Sequence, residues 1–159
     1  MSGFSDYDDF DCLGLADLVR QGDVSAYELL EEAVERTERL EPKINAVTQR
    51  HFDLAKETID QGLPDGPFSG VPFLLKDLGV GLKGTITSSS SKLYKDAVAD
   101  HDTTLVERYK AAGLVIFGKT NTPEFGITAT TEPALHGAAH NPWNLDQSTG
   151  GSSGGAAAA

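Results

Sequence analysis

Cysteine is nearly absent from this sequence of 159 residues, and long apolar runs are absent altogether. The single cysteine, Cys12, cannot form an internal disulfide, which fits a reducing compartment. No base motif accompanies Cys12, so we interpret it as a small apolar residue of a helix. The acidic start, "MSGFSDYDDFD", lacks the apolar core of a signal peptide, and no apolar run is long enough to cross a bilayer. We therefore predict a cytoplasmic protein without a membrane partner.

Basic residues are also scarce, since 13 Lys and Arg stand against 24 Asp and Glu and give a formal net charge of −11. A chain this acidic repels phosphate backbones, so we expect no nucleic-acid partner. The simplest interpretation of the charge is solubility. The hydrophobic fraction of 39% and the chain length suit one domain with a core of its own.

Motifs for metals and cofactors are missing as well. His136 and His140 lie four residues apart, but Pro133, Gly137 and Pro142 argue against a helix that would bring them together. No acidic or cysteine cluster completes a metal site there. The stretch "GGSSGG" is rich in glycine, but it has neither the Gly-Lys-Ser/Thr of a Walker A motif nor the context of a dinucleotide fingerprint. We predict no metal and no cofactor.

The apolar pattern alternates between helical and strand spacing. One short helix is predicted to stop at Gly22, and a capping box of Ser25 and Glu28 begins a longer helix that we expect Pro42 to end. The apolar runs in "VPFLLKD" and "LVIFGKT" are interpreted as buried strands that end on charge. Thr122 is a candidate N-cap of a further short helix, and the stretch from about residue 128 to 147 is predicted to be loop. This order predicts an α/β fold with a mixed or parallel sheet.

Lys76 ends the first of these apolar runs, which is costly for an ammonium group. One interpretation is a surface lysine whose stem packs while its head reaches water. The other is a desolvated lysine with a lowered pKa that acts as a base near neutral pH. Position alone leaves both open. The nearby serine run, Ser88–Ser91, is by itself an ordinary loop.

Four segments in order carry a resemblance: "GVPFLLKD", "GLVIFGKTNTPEFG", "NPW" and "STGGSSGGAAAA". Together they resemble the amidase signature family of serine hydrolases, from about Leu13 to the end of the chain. The resemblance implies an α/β fold in which helices cover a mixed β-sheet, incomplete within these residues. It also implies hydrolysis of a carboxamide to a carboxylate and an amine or ammonia. A non-catalytic half-domain that acts only with a partner chain is the alternative from another class.

The family uses a lysine, a serine in a cis peptide and a nucleophilic serine. By resemblance, Lys76 is the base, Ser152 is the cis-serine, and Ser153 supports the site by hydrogen bonding. Gly126, Ile127 and Gly151 are the implied substrate contacts. The glycines on both sides of the serine pair give the backbone the freedom that such a turn requires.

The nucleophile of this family is expected roughly 24 residues after Ser152, near position 176, in an Asp-x-Gly-Gly-Ser motif. We therefore expect residues 1–159 to be the N-terminal part of a single amidase domain and to be inactive alone. Leu78 stands where the glutamyl-tRNA amidotransferase members of the family usually carry Asn. The resemblance is accordingly closer to stand-alone amidases, including hydrolases of cyclic amide oligomers, acting on a small-molecule amide and pairing as a homodimer.

Overall fold

Helices and strands alternate along the chain in the computed structural model, which describes residue 4 and residues 6–159. Short 3-10 turns cover Tyr7–Asp9, Lys92–Tyr94 and Glu124–Gly126. The regular elements, in chain order, are α1 (Cys12–Gln21), α2 (Ala26–Ile44), β1 (Val47–Arg50), α3 (Phe52–Asp60), β2 (Pro72–Lys76), α4 (Thr104–Ala111), β3 (Val115–Thr120), β4 (His140–Asn141), β5 (Asn144–Ser148) and α5 (Gly154–Ala158). None of the helices in this described part is long and apolar enough to cross a membrane.

Local capping defines the first two helices. The carboxylate of Asp11 accepts the N–H of Gly14 at the start of α1, and Gly22 ends this helix with φ of 80°. The capping box of α2 is confirmed, because the Ser25 N–H donates to Glu28 at 2.8 Å and the Glu28 N–H donates to the Ser25 hydroxyl at 3.2 Å. These caps satisfy backbone donors that a helix leaves unpaired.

The prediction that Pro42 ends the second helix is wrong, because α2 continues through Pro42 to Ile44. A proline in the last turn removes only its own bond to the carbonyl four residues earlier, here that of the exposed Glu38, which water can reach. The helical bonding continues beyond the proline, since the Asn45 N–H donates to the Glu41 carbonyl at 3.0 Å.

The main sheet has three strands in the order β1-β3-β2. Strand β1 is antiparallel to β3, with Val47 opposite Thr120. Strand β2 follows β3 in the parallel sense, because the Val115 N–H donates to Val71 near one end and the Asp77 N–H donates to Thr120 near the other. All six residues of β3 are buried. The predicted α/β fold with a mixed sheet is confirmed, and both predicted strands are present. Only β3 is buried along its whole length, since four of the five residues of β2 are half-buried.

Tertiary contacts divide the chain into two compact units. The first comprises Met1–Arg36, His51–Phe73 and Glu107–Phe117, and its buried cluster contains Leu15, Ala16, Val24, Leu29, Val71 and Leu114. The second comprises Thr37–Arg50, Leu74–Val106 and Gly118–Ala159, and its cluster contains Ile44, Ala46, Val47 and Ala158. All the candidate site residues belong to this second unit.

Two local predictions after β3 need correction. A 3-10 turn stands where a short helix was expected, and Pro123, not Thr122, occupies the residue before it. Phe125 inside that turn has φ of 53°, so the backbone there cannot continue as a helix. The expected loop also contains an antiparallel hairpin of β4 and β5, which apolar periodicity could not reveal because all five residues of β5 are exposed.

Candidate functional site

Lys76 lies at the end of β2, and its ammonium nitrogen contacts both serines of residues 150–155, the glycine-rich segment. Nζ donates to Ser152 Oγ at 2.7 Å and to Ser153 Oγ at 3.0 Å. Burial lowers the pKa of Lys76 below its ordinary value. The strand end thus brings together the three residues that the resemblance singles out. Lys76 is half-buried and hydrogen-bonded, which fits the desolvated lysine of the two interpretations better than the surface lysine.

The glycine-rich segment is packed closely against other backbone. The peptide bond between Gly151 and Ser152 is cis, as the resemblance implies. A Cβ on Gly151 would lie 2.9 Å from the carbonyl oxygen of Thr128, and a Cβ on Gly155 would lie 2.4 Å from the backbone nitrogen of Asn121. Neither distance leaves room for a side chain. The segment is therefore an ordered turn whose glycines are required by contact, unlike those of a flexible linker.

Two buried threonines donate hydrogen bonds to the carbonyl groups of this segment. Thr122 Oγ1 donates to the Ser152 carbonyl at 2.8 Å, and Thr131 Oγ1 donates to the Gly150 carbonyl at 2.9 Å. Both threonines are completely buried. Sequence reasoning missed them, because it assigned Thr122 to a helix cap and treated Thr131 as a plain loop residue. No local pattern identifies a hydroxyl whose partner lies 19 or 30 residues away.

The residue that follows Lys76, Asp77, takes part in a buried ion pair. Lys119 and Asp77 are both fully buried, with Nζ 4.0 Å from Oδ1. Lys119 also donates to the carbonyl of Ile86 at 2.5 Å and to the hydroxyl of Thr87 at 2.8 Å. Asp77 accepts the backbone N–H of Ser88 at 3.0 Å and its hydroxyl at 2.5 Å. Together the pair fixes residues 86–88.

Burial and the charge of Asp77 have opposite effects on the pKa of Lys119. Burial lowers the pKa of Lys119 to about 8, and the Asp77 carboxylate acts in the other direction. The serine run, which sequence alone presented as ordinary loop, is mostly buried and tied to Asp77. The signal that could have drawn attention to this pair is a lysine near the end of an apolar run, which also made Lys76 a candidate.

The three predicted substrate contacts have different surroundings. A Cβ on Gly126 would lie 3.7 Å from the Cβ of Ser152 and 2.4 Å from Leu78 Cδ2, so the backbone of Gly126 runs close to Ser152. Gly151 precedes Ser152 directly. Ile127 follows Gly126, but its side chain is 80% exposed. The structure thus brings Gly126 and Gly151 to Ser152, while the side chain of Ile127 faces solvent.

The histidines do not assemble with other ligands. Among residue 4 and residues 6–159, there is no group of three or more His, Cys, Asp or Glu that could hold a metal ion. His140 Nδ1 lies 3.0 Å from the carbonyl oxygen of Leu145 across the hairpin. His136 lines a separate cleft with Glu41 and Arg50, and burial lowers its pKa. The reactive groups that the described residues bring together at Lys76 are one amine and two hydroxyls.

Comparison with known proteins identifies the family of this chain. The family model described as Amidase matches residues 28–159. A 6-aminohexanoate-cyclic-dimer hydrolase of Paenarthrobacter ureafaciens is 50% identical over 151 residues, which are 94% of this chain and 30% of that protein. A glutamyl-tRNA(Gln) amidotransferase component of Synechococcus sp. (strain CC9902) is 38% identical over 148 residues, which are 89% of this chain and 30% of that protein.

Solved structures of related proteins also match the fold of this chain. A structure of 6-aminohexanoate cyclic dimer hydrolase matches with a TM-score of 0.88 at 48% sequence identity, covering 94% of this chain and 31% of that one. The chain thus spans about 30% of the length of the curated relatives it matches.

Proposed function

Because the chain belongs to the amidase family, we propose that it supplies the base and the proton relay of an enzyme that hydrolyses carboxamides. Lys76 is the base, Ser152 is the relay, and Ser153 supports both through its hydrogen bond to Lys76. The observation that carries the proposal is the 2.7 Å contact between Lys76 Nζ and Ser152 Oγ. The proposal places residues 1–159 in the N-terminal part of one amidase domain.

The chemistry requires a lysine that can lose its proton. An alkyl hydroxyl is a weak nucleophile until a base removes its proton. Burial lowers the pKa of Lys76, so a larger share of the amine is neutral near pH 7 than in a free lysine. Neutral Lys76 takes the proton of the Ser152 hydroxyl, and Ser152 in turn takes the proton of the nucleophilic serine that the resemblance places near position 176.

The nucleophile then attacks the carbonyl carbon of the amide. The C–N bond breaks, the leaving nitrogen takes the relayed proton and departs as an amine or ammonia, and the acyl group remains as an ester on the enzyme. Water adds to that ester with Lys76 and Ser152 again accepting a proton. The carboxylate leaves and the nucleophilic serine regains its hydrogen.

The substrate class is a small, non-peptide carboxamide. Support comes from the identity of 50% to a hydrolase of a cyclic amide dimer, against 38% to an amidotransferase component. Leu78 adds support, because its side chain packs where a Cβ on Gly126 would fall and so gives an apolar flank near Ser152. Gly126, Ile127 and Gly151 are the proposed contacts with substrate. A cytoplasmic homodimer is the proposed setting.

The test uses the complete gene product that carries these residues, with two probes: the cyclic dimer of 6-aminohexanoate and N-acetyl-4-nitroaniline. We expect Lys76→Ala and Ser152→Ala each to lower kcat/KM by about 10²–10⁴-fold, because each interrupts proton transfer. Lys92→Ala is the matched control, since Lys92 is exposed and lies outside the site.

Full activity in the Ser152→Ala variant would show that Ser152 is not the proton relay. A folded wild-type protein that hydrolyses neither probe nor other small amides would instead favour the non-catalytic half-domain.

A further inference from the structure

The hydroxyl of Thr122 reaches the residue that the proposed mechanism uses as relay. Thr122 is completely buried, and its Oγ1 donates to the carbonyl oxygen of Ser152 at 2.8 Å. Its donor is thus directed at the main chain of Ser152, whose own hydroxyl receives Lys76 Nζ at 2.7 Å. One residue is held from two sides, through its side chain by Lys76 and through its backbone by Thr122.

The backbone that carries Thr122 is itself anchored. The N–H of the preceding Asn121 donates to the Ala46 carbonyl at 2.7 Å, and the Asn121 carbonyl accepts the Gly155 N–H at 3.1 Å. The Asn121 side chain donates to the carbonyl groups of Asn45 and Gly137, both at 3.1 Å. Four hydrogen bonds therefore fix the residue before Thr122, so its hydroxyl acts from a rigid support.

A second threonine holds the same segment one residue before the Gly151–Ser152 link. Thr131, also completely buried, donates to the Gly150 carbonyl at 2.9 Å. The carbonyls of Gly150 and Ser152 are thereby each fixed by a hydroxyl from outside the segment. Proton transfer depends on donor and acceptor staying within hydrogen-bond distance, so a small displacement of Ser152 costs rate even when the fold is intact.

We propose that Thr122 is a positioning residue for the relay. Its hydroxyl donates to the Ser152 carbonyl and so keeps Ser152 Oγ within hydrogen-bond distance of Lys76. This inference rests on the proposed function. It assigns Thr122 a role that its place after a strand end does not suggest, and it makes the hydroxyl, not the size of the side chain, the feature that matters.

The experiment compares Thr122→Val, Thr122→Ser and a matched control in the complete gene product, with the two amide probes above. Valine keeps the shape of threonine but cannot donate, whereas serine keeps the hydroxyl. The control is Thr85→Val, because Thr85 is buried and its hydroxyl donates to the Leu82 carbonyl at 2.8 Å, the same kind of bond away from Ser152.

We expect Thr122→Val to lower kcat about 10- to 100-fold with KM within about twofold of wild type, since misplacement affects the chemical step more than binding. Thr122→Ser should keep kcat within about threefold. Thr85→Val should lower the melting temperature by a similar amount to Thr122→Val but leave kcat unchanged. A threonine with a merely structural role would lower the melting temperature when replaced but would leave kcat unchanged.

A folded Thr122→Val enzyme with wild-type kcat overturns the inference, and so does a loss of kcat that Thr85→Val reproduces. If Thr122→Val does not fold, the comparison of kcat between Thr122→Ser and Thr122→Cys tests the inference. The two variants differ in one atom, since serine has a hydroxyl oxygen where cysteine has a sulfur that is only a weak donor. Equal kcat in those two variants also overturns it. A failure of the proposed function is distinguishable, because wild-type turnover would then be absent or unaffected by Lys76→Ala.

Discussion

At the scale of single residues, two lysines on neighbouring strands meet different surroundings. Lys76 ends β2 half-buried, beside two serine hydroxyls and with a lowered pKa. Lys119 lies in β3, fully buried beside a carboxylate. An amine next to neutral hydroxyls can exchange a proton with them, whereas an amine paired with a buried carboxylate is more useful as a structural link. We therefore assign chemistry to Lys76 and the ordering of residues 86–88 to Lys119.

Lys119 predicts a pH dependence of stability. Its pKa is about 8 in the folded protein, against 10.5 for an unperturbed lysine. Between these values the unfolded chain holds a proton that the folded chain has released, so the free energy of unfolding rises with pH. Relative to a Lys119→Met variant, wild type should gain about 1–2 kcal/mol from pH 8 to about pH 10. Urea titration at several pH values measures this.

Titration of groups that do not interact with Lys119 is cancelled in that comparison, because the variant keeps them unchanged. A difference between wild type and Lys119→Met that is constant, or that shrinks, over this range would contradict the prediction.

Sequence reasoning reached some of these residues and missed others for a physical reason. Lys76 and Ser152 were identified because four segments in order resemble the amidase signature family, although each segment alone is a weak signal. Thr122 and Asp77 were missed because their roles depend on partners 30 and 11 residues away. A hydroxyl or carboxylate has the same local propensity whether or not a distant carbonyl or N–H comes to meet it.

At the scale of elements, the passage from α2 to β1 depends on one side chain. The carboxylate of Glu41, a buried residue near the end of the helix, accepts the N–H of Ala46 at 3.0 Å and that of Val47 at 2.9 Å. Both of those residues are buried, so water cannot replace the carboxylate. The chain can thus leave the helix and enter the strand within two residues.

We expect Glu41→Ala to lower the free energy of unfolding by about 2–4 kcal/mol, because it leaves two buried N–H groups without their acceptor. Glu38→Ala is the control on the same helix, since Glu38 is exposed and its loss should cost less than about 0.5 kcal/mol. Denaturant unfolding of the complete gene product measures both. Equal stability of the two variants would show that the carboxylate does not hold this passage.

The same passage explains where element prediction failed. The capping box and Gly22 act within three or four residues, so the sequence displays them and the prediction was confirmed. The end of α2 was misplaced because Pro42 is unfavourable locally, while Glu41 stabilises the residues beyond it through contacts that only the folded chain makes. The exposed hairpin of β4 and β5 was missed because it has no apolar alternation to detect.

At the scale of the whole molecule, the chain corresponds to about 30% of its curated relatives. We expect the polypeptide of residues 1–159, expressed by itself, to show no turnover of either amide probe above its own Lys76→Ala variant. The reason is chemical, because the resemblance puts the nucleophilic serine near position 176, and a base with a relay cannot form an acyl-enzyme without it. The complete gene product at equal concentration is the positive control, and lysine-dependent turnover by residues 1–159 would contradict this.

The amino-acid sequence by itself determined the α/β order of the elements and the two apolar strands that end on charge, because these features are encoded in periods a few residues long. Its resemblance to the amidase signature family, carried by four segments in order, identified the candidate lysine and serine pair. The tertiary structure alone decided that Lys76 meets Ser152 across 76 residues, that Thr122 and Thr131 hold the segment, and that Lys119 pairs with Asp77. Contacts of this kind arise when a sheet and its loops close around a shared core, and no local propensity records which distant atoms will meet.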